Sequence, residues 1–278
     1  MRKLREYLNR PLSFAVFLLI IISTVITALT VVFIIGYIFI KGVPNLSLDL
    51  FSLKYSSSNQ SMLPSIINTV YLTVLTLLLA VPIGIFSAIY LAEYSRKNSF
   101  FVKIINIANE TLSGIPSIVY GLFGFLAFVI SKKWGYSLLA GVITFAIMVL
   151  PLIIRTSQEA MLGVDNTFRE ASYGLGAGKL RTVFKIVLPS AMPGILSGII
   201  LAIGRIVGET AALIYTAGTV PEAATKLTSS SRTISVHLYC LLNEGLYTEQ
   251  AYATAVVLIV FVVIINALSN ALAKKIMK

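Results

Sequence analysis

Residues 168–193 read FREASYGLGAGKLRTVFKIVLPSAMP and run directly into residues 194–218, GILSGIILAIGRIVGETAALIYTAG. The first piece carries Arg169, Glu170, Lys179, Arg181 and Lys185 and is too charged to rest in hydrocarbon. The second is too apolar to rest in water. The stretch therefore joins a membrane-embedded body to something outside the bilayer.

Bulk composition agrees. Of 278 residues, 57% are hydrophobic and 12% charged, and the mean hydropathy of +0.91 lies far from the balance of a soluble domain. The net charge of +11 gathers at the ends of long apolar runs, where topology signals belong, and not in a patch suited to nucleic acid. One Cys (Cys240) and one His (His237) exclude a disulfide framework and a Cys/His metal cluster.

A helix crosses the roughly 30 Å hydrocarbon core in about 20 residues. Six runs of that order predict an all-α polytopic protein: 12–40, one within 63–92, 104–130, 135–154, 193–218 and 251–273. The first follows Arg2, Lys3, Arg5 and Arg10 and lacks an A-x-A-like cleavage site, which predicts a retained helix and not a removed signal peptide. The expected organisation is a tail, first helix and outer loop over 1–62, then a core of five spans over 63–278.

Of the 22 Lys and Arg, six (Lys41, Lys54, Lys132, Lys133, Lys226, Arg232) fall on one side of this layout, Arg205 lies inside a span, and the other fifteen share the side of the N-terminus and of residues 168–193. Positive residues stay inside. Both termini and the junction are therefore expected to be cytoplasmic in a multi-pass membrane protein. The outer segment 220–250, with His237, Glu222, Glu244 and Glu249, is expected to cap the pathway or to meet an external partner.

The charged piece has its own logic. Glycines at 174, 176 and 178 end one short helix, and a second from Lys179 is expected to stop near Pro189, giving a compact helix-turn-helix at the membrane surface. These glycines are not a nucleotide loop: Gly178-Lys179 is followed by Leu180, and Tyr173 occupies the first glycine position of a Walker A motif. Within 104–130, Glu110, Thr111, Ser113, Gly114, Pro116 and Ser117 mark either a packed kink or a stretch lining a pathway.

On a helical wheel, Gly194, Gly198, Arg205, Gly208, Glu209, Ala212 and Thr216 share about 100° of the fifth span, opposite Leu196, Ile199, Ile203, Val207 and Ile214. An unpaired Arg205 there costs roughly 2.5–3.5 kcal/mol, so it must meet a partner or water. Either Glu209, one turn on, neutralises it, or its planar fork meets an anion with Glu209 orienting it.

Several motifs carry a resemblance. Glu170-Ala171-Ser172, three residues, Gly176, nine residues, then Ile186-Val187-Leu188-Pro189 resembles the EAA motif of ABC importer permeases, with Ser172 in place of the third Ala. Gly204-Arg205-Ile206-Val207-Gly208-Glu209-Thr210 and Gly114-Ile115-Pro116-Ser117-Ile118-Val119-Tyr120-Gly121 resemble segments of Pst-type phosphate permeases. Residues 211–217 are more similar to the A-type (PstA) than to the C-type (PstC).

The resemblance implies a MetI-like type I permease subunit of a phosphate ABC importer in a bacterial or archaeal inner membrane. It implies Arg205, Glu209, Thr210 and Ser117 on the substrate pathway, and Glu170, Ala171, Ser172, Gly176, Leu188 and Pro189 on the ATPase contact. Implied partners are a PstC-type permease, a PstB-type ATPase dimer and a PstS-type phosphate-binding protein. The chain itself is expected to bind no cofactor and catalyse no reaction, with ATP and Mg held by the ATPase. The C-type permease, a permease for another oxyanion and a gradient-driven transporter or channel are the alternatives. The last would need an inverted repeat, and none is visible.

Overall fold

A computed structural model describes residues 11–95 and 99–276. The expected topology signals at Arg2, Lys3, Arg5, Arg10, Arg96, Lys97 and Lys278 lie outside the described residues. Among the described residues, and apart from short 3-10 turns at Val43–Asn45 and Leu48–Phe51, ten helices follow in order: α1 Pro11–Gly42, α2 Leu63–Tyr94, α3 Phe100–Gly114, α4 Ser117–Ser131, α5 Leu138–Leu162, α6 Asn166–Gly174, α7 Lys179–Gly208, α8 Ala211–Thr216, α9 Ile234–Glu244 and α10 Thr248–Ile276. Wider π turns close α2 at Tyr90–Tyr94 and α4 at Phe125–Ser131.

Helices α1, α2, α5, α7 and α10 are each long and apolar enough to span a membrane, and α3 with α4 makes a sixth, bent span. The helix α5 is the hub. Two-thirds (67%) of its most apolar window is buried, against 0% for α1. Around Phe145, Met148, Val149 and Ile153 it gathers α2, α7, α3, α4 and α8. Its first N–H groups, which no helix can satisfy internally, are met from the loop ahead of α9: Leu138 donates to Ser229 O at 2.9 Å and Leu139 to Leu227 O at 2.8 Å. The α1 helix rests on α10 near its end, where Gly42 lies against the Tyr252 backbone and Tyr37 meets the Tyr252 ring edge-on.

Three expectations are corrected. The span over 104–130 is not one helix: α3 and α4 meet at 100°. Pro116 has no N–H to give Leu112 O, and the Tyr120 hydroxyl donates to that carbonyl instead at 2.8 Å. The fifth span does not run through to residue 218, because the helix ends at Gly208 and restarts at Ala211. The Glu209 carbonyl set free there accepts from Ser235 Oγ of α9 at 2.6 Å.

The helix from Lys179 does not stop near Pro189. It continues through Pro189 and Pro193 to Gly208. A π turn at Val183–Val187, in which Leu188 N–H reaches back to Val183 O, shifts the register just ahead of the first proline and accommodates it.

The segment 220–250 holds a helix and is stitched to α2. The buried Asn68 donates to Glu222 O and Arg232 O and accepts from Ala224 N, while Thr69 Oγ1 accepts from Ile234 N.

Candidate functional site

Two sites emerge, one at the helix interruptions and one at the junction. At the first, α4 and α8 lie side by side. Gly121 meets the Ala212 backbone, and Gly124 meets Thr216 and Thr144, so closely that a Cβ on either glycine would fall inside contact distance. Because 121 pairs with 212 and 124 with 216, the two short helices run parallel. In that register Ser117 lies about one turn ahead of Ala211, level with Gly208 at the end of α7.

Arg205 occupies the last turn of α7, half-buried and within electrostatic reach of Tyr120. The pairing with Glu209, one of the two readings of the sequence, is not formed. Glu209 Oε1 accepts from Thr210 N at 3.2 Å and Ala211 N at 3.1 Å, capping α8. The helix ends between the two residues, so the i,i+4 relation that would bring them together is lost. Among the described residues none forms an ion pair or hydrogen bond with the Arg205 side chain.

The glycines on this face divide in two. Gly194 packs on Ala160 and Gly198 on Thr156, holding α7 against α5. A methyl group on Gly204 or Gly208 would instead meet nothing within 4 Å, so α7 is uncovered by the described residues at these two positions, which flank Arg205. Ser117 and Thr210 are half-buried at the same interruptions.

A second polar feature is not apparent from the sequence, although it includes Glu110 of the polar stretch noted above. A cleft of about 180 Å³ between α3 and α5 is lined by Asn106, Asn109, Glu110, Arg155, Gln158 and Glu159. Arg155 Nε donates to Glu159 at 2.9 Å. The signal for it is the i, i+3, i+4 spacing of Asn106, Asn109 and Glu110 on one helical face.

At the junction, α6 and the start of α7 form a hairpin. Asp165 caps α6, accepting from Thr167 N at 2.9 Å and from its hydroxyl, and these bonds hold the carboxyl below its usual pKa. Gly176 has φ +82, a left-handed conformation in which a side chain is strained, and so this glycine sets the turn. The Ser172 hydroxyl meets that of Thr182 at 2.8 Å, both buried, and bridges the two arms. Ser in place of Ala at this position thus has a structural role.

Glu170 and Ala171 are exposed on the hairpin, beside exposed Phe168, Tyr173, Leu175 and Leu180. Leu188 is half-buried and Pro189 exposed farther along α7. Beneath the hairpin, Met161, Val183, Val187, Ala191 and Ile195 pack with Ala88 and Ile89 of α2.

The model of a family described as "Binding-protein-dependent transport system inner membrane component" matches residues 80–278. The chain belongs to this family. Among relatives of this inner membrane component is the "Probable ABC transporter permease protein YqgI" of Bacillus subtilis, 32% identical over 249 residues, covering 83% of this chain and 84% of that one. The "Phosphate transport system permease protein PstA" of Pasteurella multocida is 34% identical, with 81% of each chain covered. That of Yersinia pestis is 33% identical, covering 84% of this chain and 81% of its own.

Solved structures share the fold of this inner membrane component. One is a bacterial alginate ABC transporter in complex with an alginate pentasaccharide-bound periplasmic protein, at 18% identity and TM-score 0.69, covering 100% of this chain and 99% of that one. A methionine ABC transporter in an inward-facing conformation matches at 15% identity and TM-score 0.58, covering 77% of this chain and 94% of its own. These likenesses agree with the expected all-α, MetI-like architecture.

Proposed function

We propose that this chain is the A-type permease subunit of an ATP-driven phosphate importer. It supplies half of the pathway and takes its energy from a separate ATPase. The observation that carries the reading is the half-buried Arg205, which has no counter-charge among the described residues and is flanked by Gly204 and Gly208, where a methyl group would meet nothing within 4 Å. A guanidinium left free in an apolar surround recognises an oxyanion through paired, charge-assisted N–H donors. The N-terminus of α4, opening at Ser117 about one turn ahead of Ala211, adds partial positive charge beside the break. The names of the PstA relatives support phosphate as that oxyanion.

The hairpin 166–178, with exposed Glu170 and an apolar rim of Phe168, Tyr173 and Leu175, suits insertion into a cleft on a cytoplasmic ATPase dimer of PstB type. Helix α7 is continuous from the hairpin to Arg205 through its π turn and two prolines, so displacement at the membrane surface reaches the cation along one helix. A PstC-type permease would provide the facing half, and a PstS-type protein would deliver phosphate outside. The excess of Lys and Arg on the junction side supports cytoplasmic termini.

Co-expression with those three subunits, followed by reconstitution with ATP enclosed, tests the reading. Labelled phosphate is expected to enter only when all four are present. Uptake driven by an ion gradient without the ATPase, or competition by sulfate as effective as that by unlabelled phosphate, would refute it.

A further inference from the structure

A buried ion pair links the junction to a span distant in sequence. Arg169 of α6 donates from Nε at 3.1 Å and Nη2 at 2.6 Å to Glu93 Oε1 in the closing π turn of α2. The two side chains are only 13% and 6% exposed. The same guanidinium donates from Nη1 to Val164 O at 2.7 Å and from Nη2 to Met161 O at 2.8 Å, at the end of α5 and in the link to α6. A second contact runs parallel: Lys179 Nζ, opening α7, lies 4.9 Å from the centre of the Tyr94 ring.

We propose that Arg169 and Glu93 are positioning residues for energy coupling, clamping the hairpin to α2 so that a push on α6 moves two spans together. Peptide bonds alone would carry the stroke into α5 and α7. The α2 helix has no chain connection to the hairpin and lies against it through the apolar patch beneath, which can slide. Two charge-assisted hydrogen bonds converging on one oxygen of a largely buried carboxylate do not slide, because displacement leaves Glu93 with neither water nor its partner. The π turn places Glu93 under Arg169, and three of the guanidinium's bonds then fix where the hairpin sits over α5 and α2 together. This inference rests on the proposed docking of the hairpin to an ATPase.

The four-subunit complex is reconstituted with Glu93→Gln, Glu93→Asp, or the exchange of Glu93→Arg with Arg169→Glu. Solute moved per ATP hydrolysed is measured beside subunit stoichiometry. Spin labels at Gly174→Cys and Leu79→Cys, in a Cys240→Ser background, report the hairpin-to-α2 distance before and after trapping with ATP and vanadate. In Glu93→Gln the complex is expected to assemble and hydrolyse ATP, with transport per ATP lowered about tenfold, a coupling of the size found within one hydrogen-bonded network. The trapped distance should broaden in that variant and stay single in the unmodified chain, and the exchange should recover most of the loss.

Transport per ATP unchanged in Glu93→Gln overturns the proposal. So does failure of every variant, Glu93→Asp included, to assemble, since the pair would then serve folding alone. The spin-label readout needs no substrate. An unmodified complex that moves no phosphate but keeps a single distance therefore faults the choice of anion and leaves the clamp standing.

Discussion

Glu209 turns its carboxylate onto the backbone N–H groups of Thr210 and Ala211 and leaves Arg205, four residues earlier, without a counter-charge among the described residues. The acid caps a helix, and the base stays free for something that arrives from outside the chain. One residue's duty in the backbone thus creates the other's vacancy.

Replacing Arg205 by Ala should lower phosphate uptake by about 100-fold or more, the loss of two charge-assisted hydrogen bonds at about 1.5–3 kcal/mol each. Assembly should not suffer, because no described residue depends on that side chain. Arg205→Lys should recover part of the rate, since an ammonium keeps the charge and loses the fork. Initial rates of labelled-phosphate uptake at matched complex levels decide it; wild-type rates in the Ala variant exclude Arg205 from the pathway.

At the hairpin, Gly176→Ala should cost about 1–2 kcal/mol, because Gly176 sits at φ +82. Ser172→Ala should cost about 0.5–1.5 kcal/mol. Thr182 keeps its bond to Gly178 O, so no buried hydroxyl is orphaned. A double-mutant cycle of Ser172→Ala with Thr182→Val, read by urea unfolding of the hairpin in detergent, should return a coupling close to the single Ser172 effect.

The contact between α4 and α8 predicts a contrast between two glycines of one motif. A methyl group on Gly121 would lie 2.7 Å from Ala212 Cα, while one on Gly114 meets nothing within 4 Å. Gly121→Ala should destabilise the protein by about 1–3 kcal/mol as an overpacked contact. Gly114→Ala should stay within about 0.5 kcal/mol. Thermal unfolding of the two variants, side by side in detergent, measures the difference.

His237 gives the segment around α9 a pH dependence. Burial, then the charge of Arg232, push its pKa from 6.5 down to about 3, against a weaker pull from the Gln60 backbone. Among the described residues its ring nitrogens have no partner within full hydrogen-bond geometry, the Gln60 backbone being only near, Arg232 stacks over Tyr55 at 4.7 Å, and the Tyr55 ring also meets His237 edge-on. The folded form binds fewer protons than the unfolded one between these two values, so stability is full above 6.5 and is lost as pH falls towards 3. Each unit below 6.5 should cost about 1.4 kcal/mol of local stability. Hydrogen exchange over residues 231–241, corrected for intrinsic rates, should show protection falling from pH 7 to pH 5, and His237→Gln should flatten that slope.

Much of this architecture was legible because hydrocarbon thickness fixes the length of a spanning helix. Apolar runs alone located α1, α2, α5 and α10. The hairpin was legible too, since Gly176 must be glycine for its backbone angle. The interruptions were not. Pro116 is compatible with a gentle kink, and the 100° bend follows from where Tyr120 finds Leu112 O. The stop at Gly208 has no proline at all; it is held by Ser235, 26 positions after Glu209. Reading Arg205 and Glu209 as a pair assumes a continuous helix between them. The bond between Arg169 and Glu93 joins positions 76 apart, and no local pattern announces it.

The close approach of Gly121 to Ala212 also limits how the molecule can change shape. Two bent rods lie with their elbows touching, and neither elbow has room to slip past the other. They must therefore flex about a common crease, like two pages sharing one spine. A shift at either interruption would therefore carry the other with it.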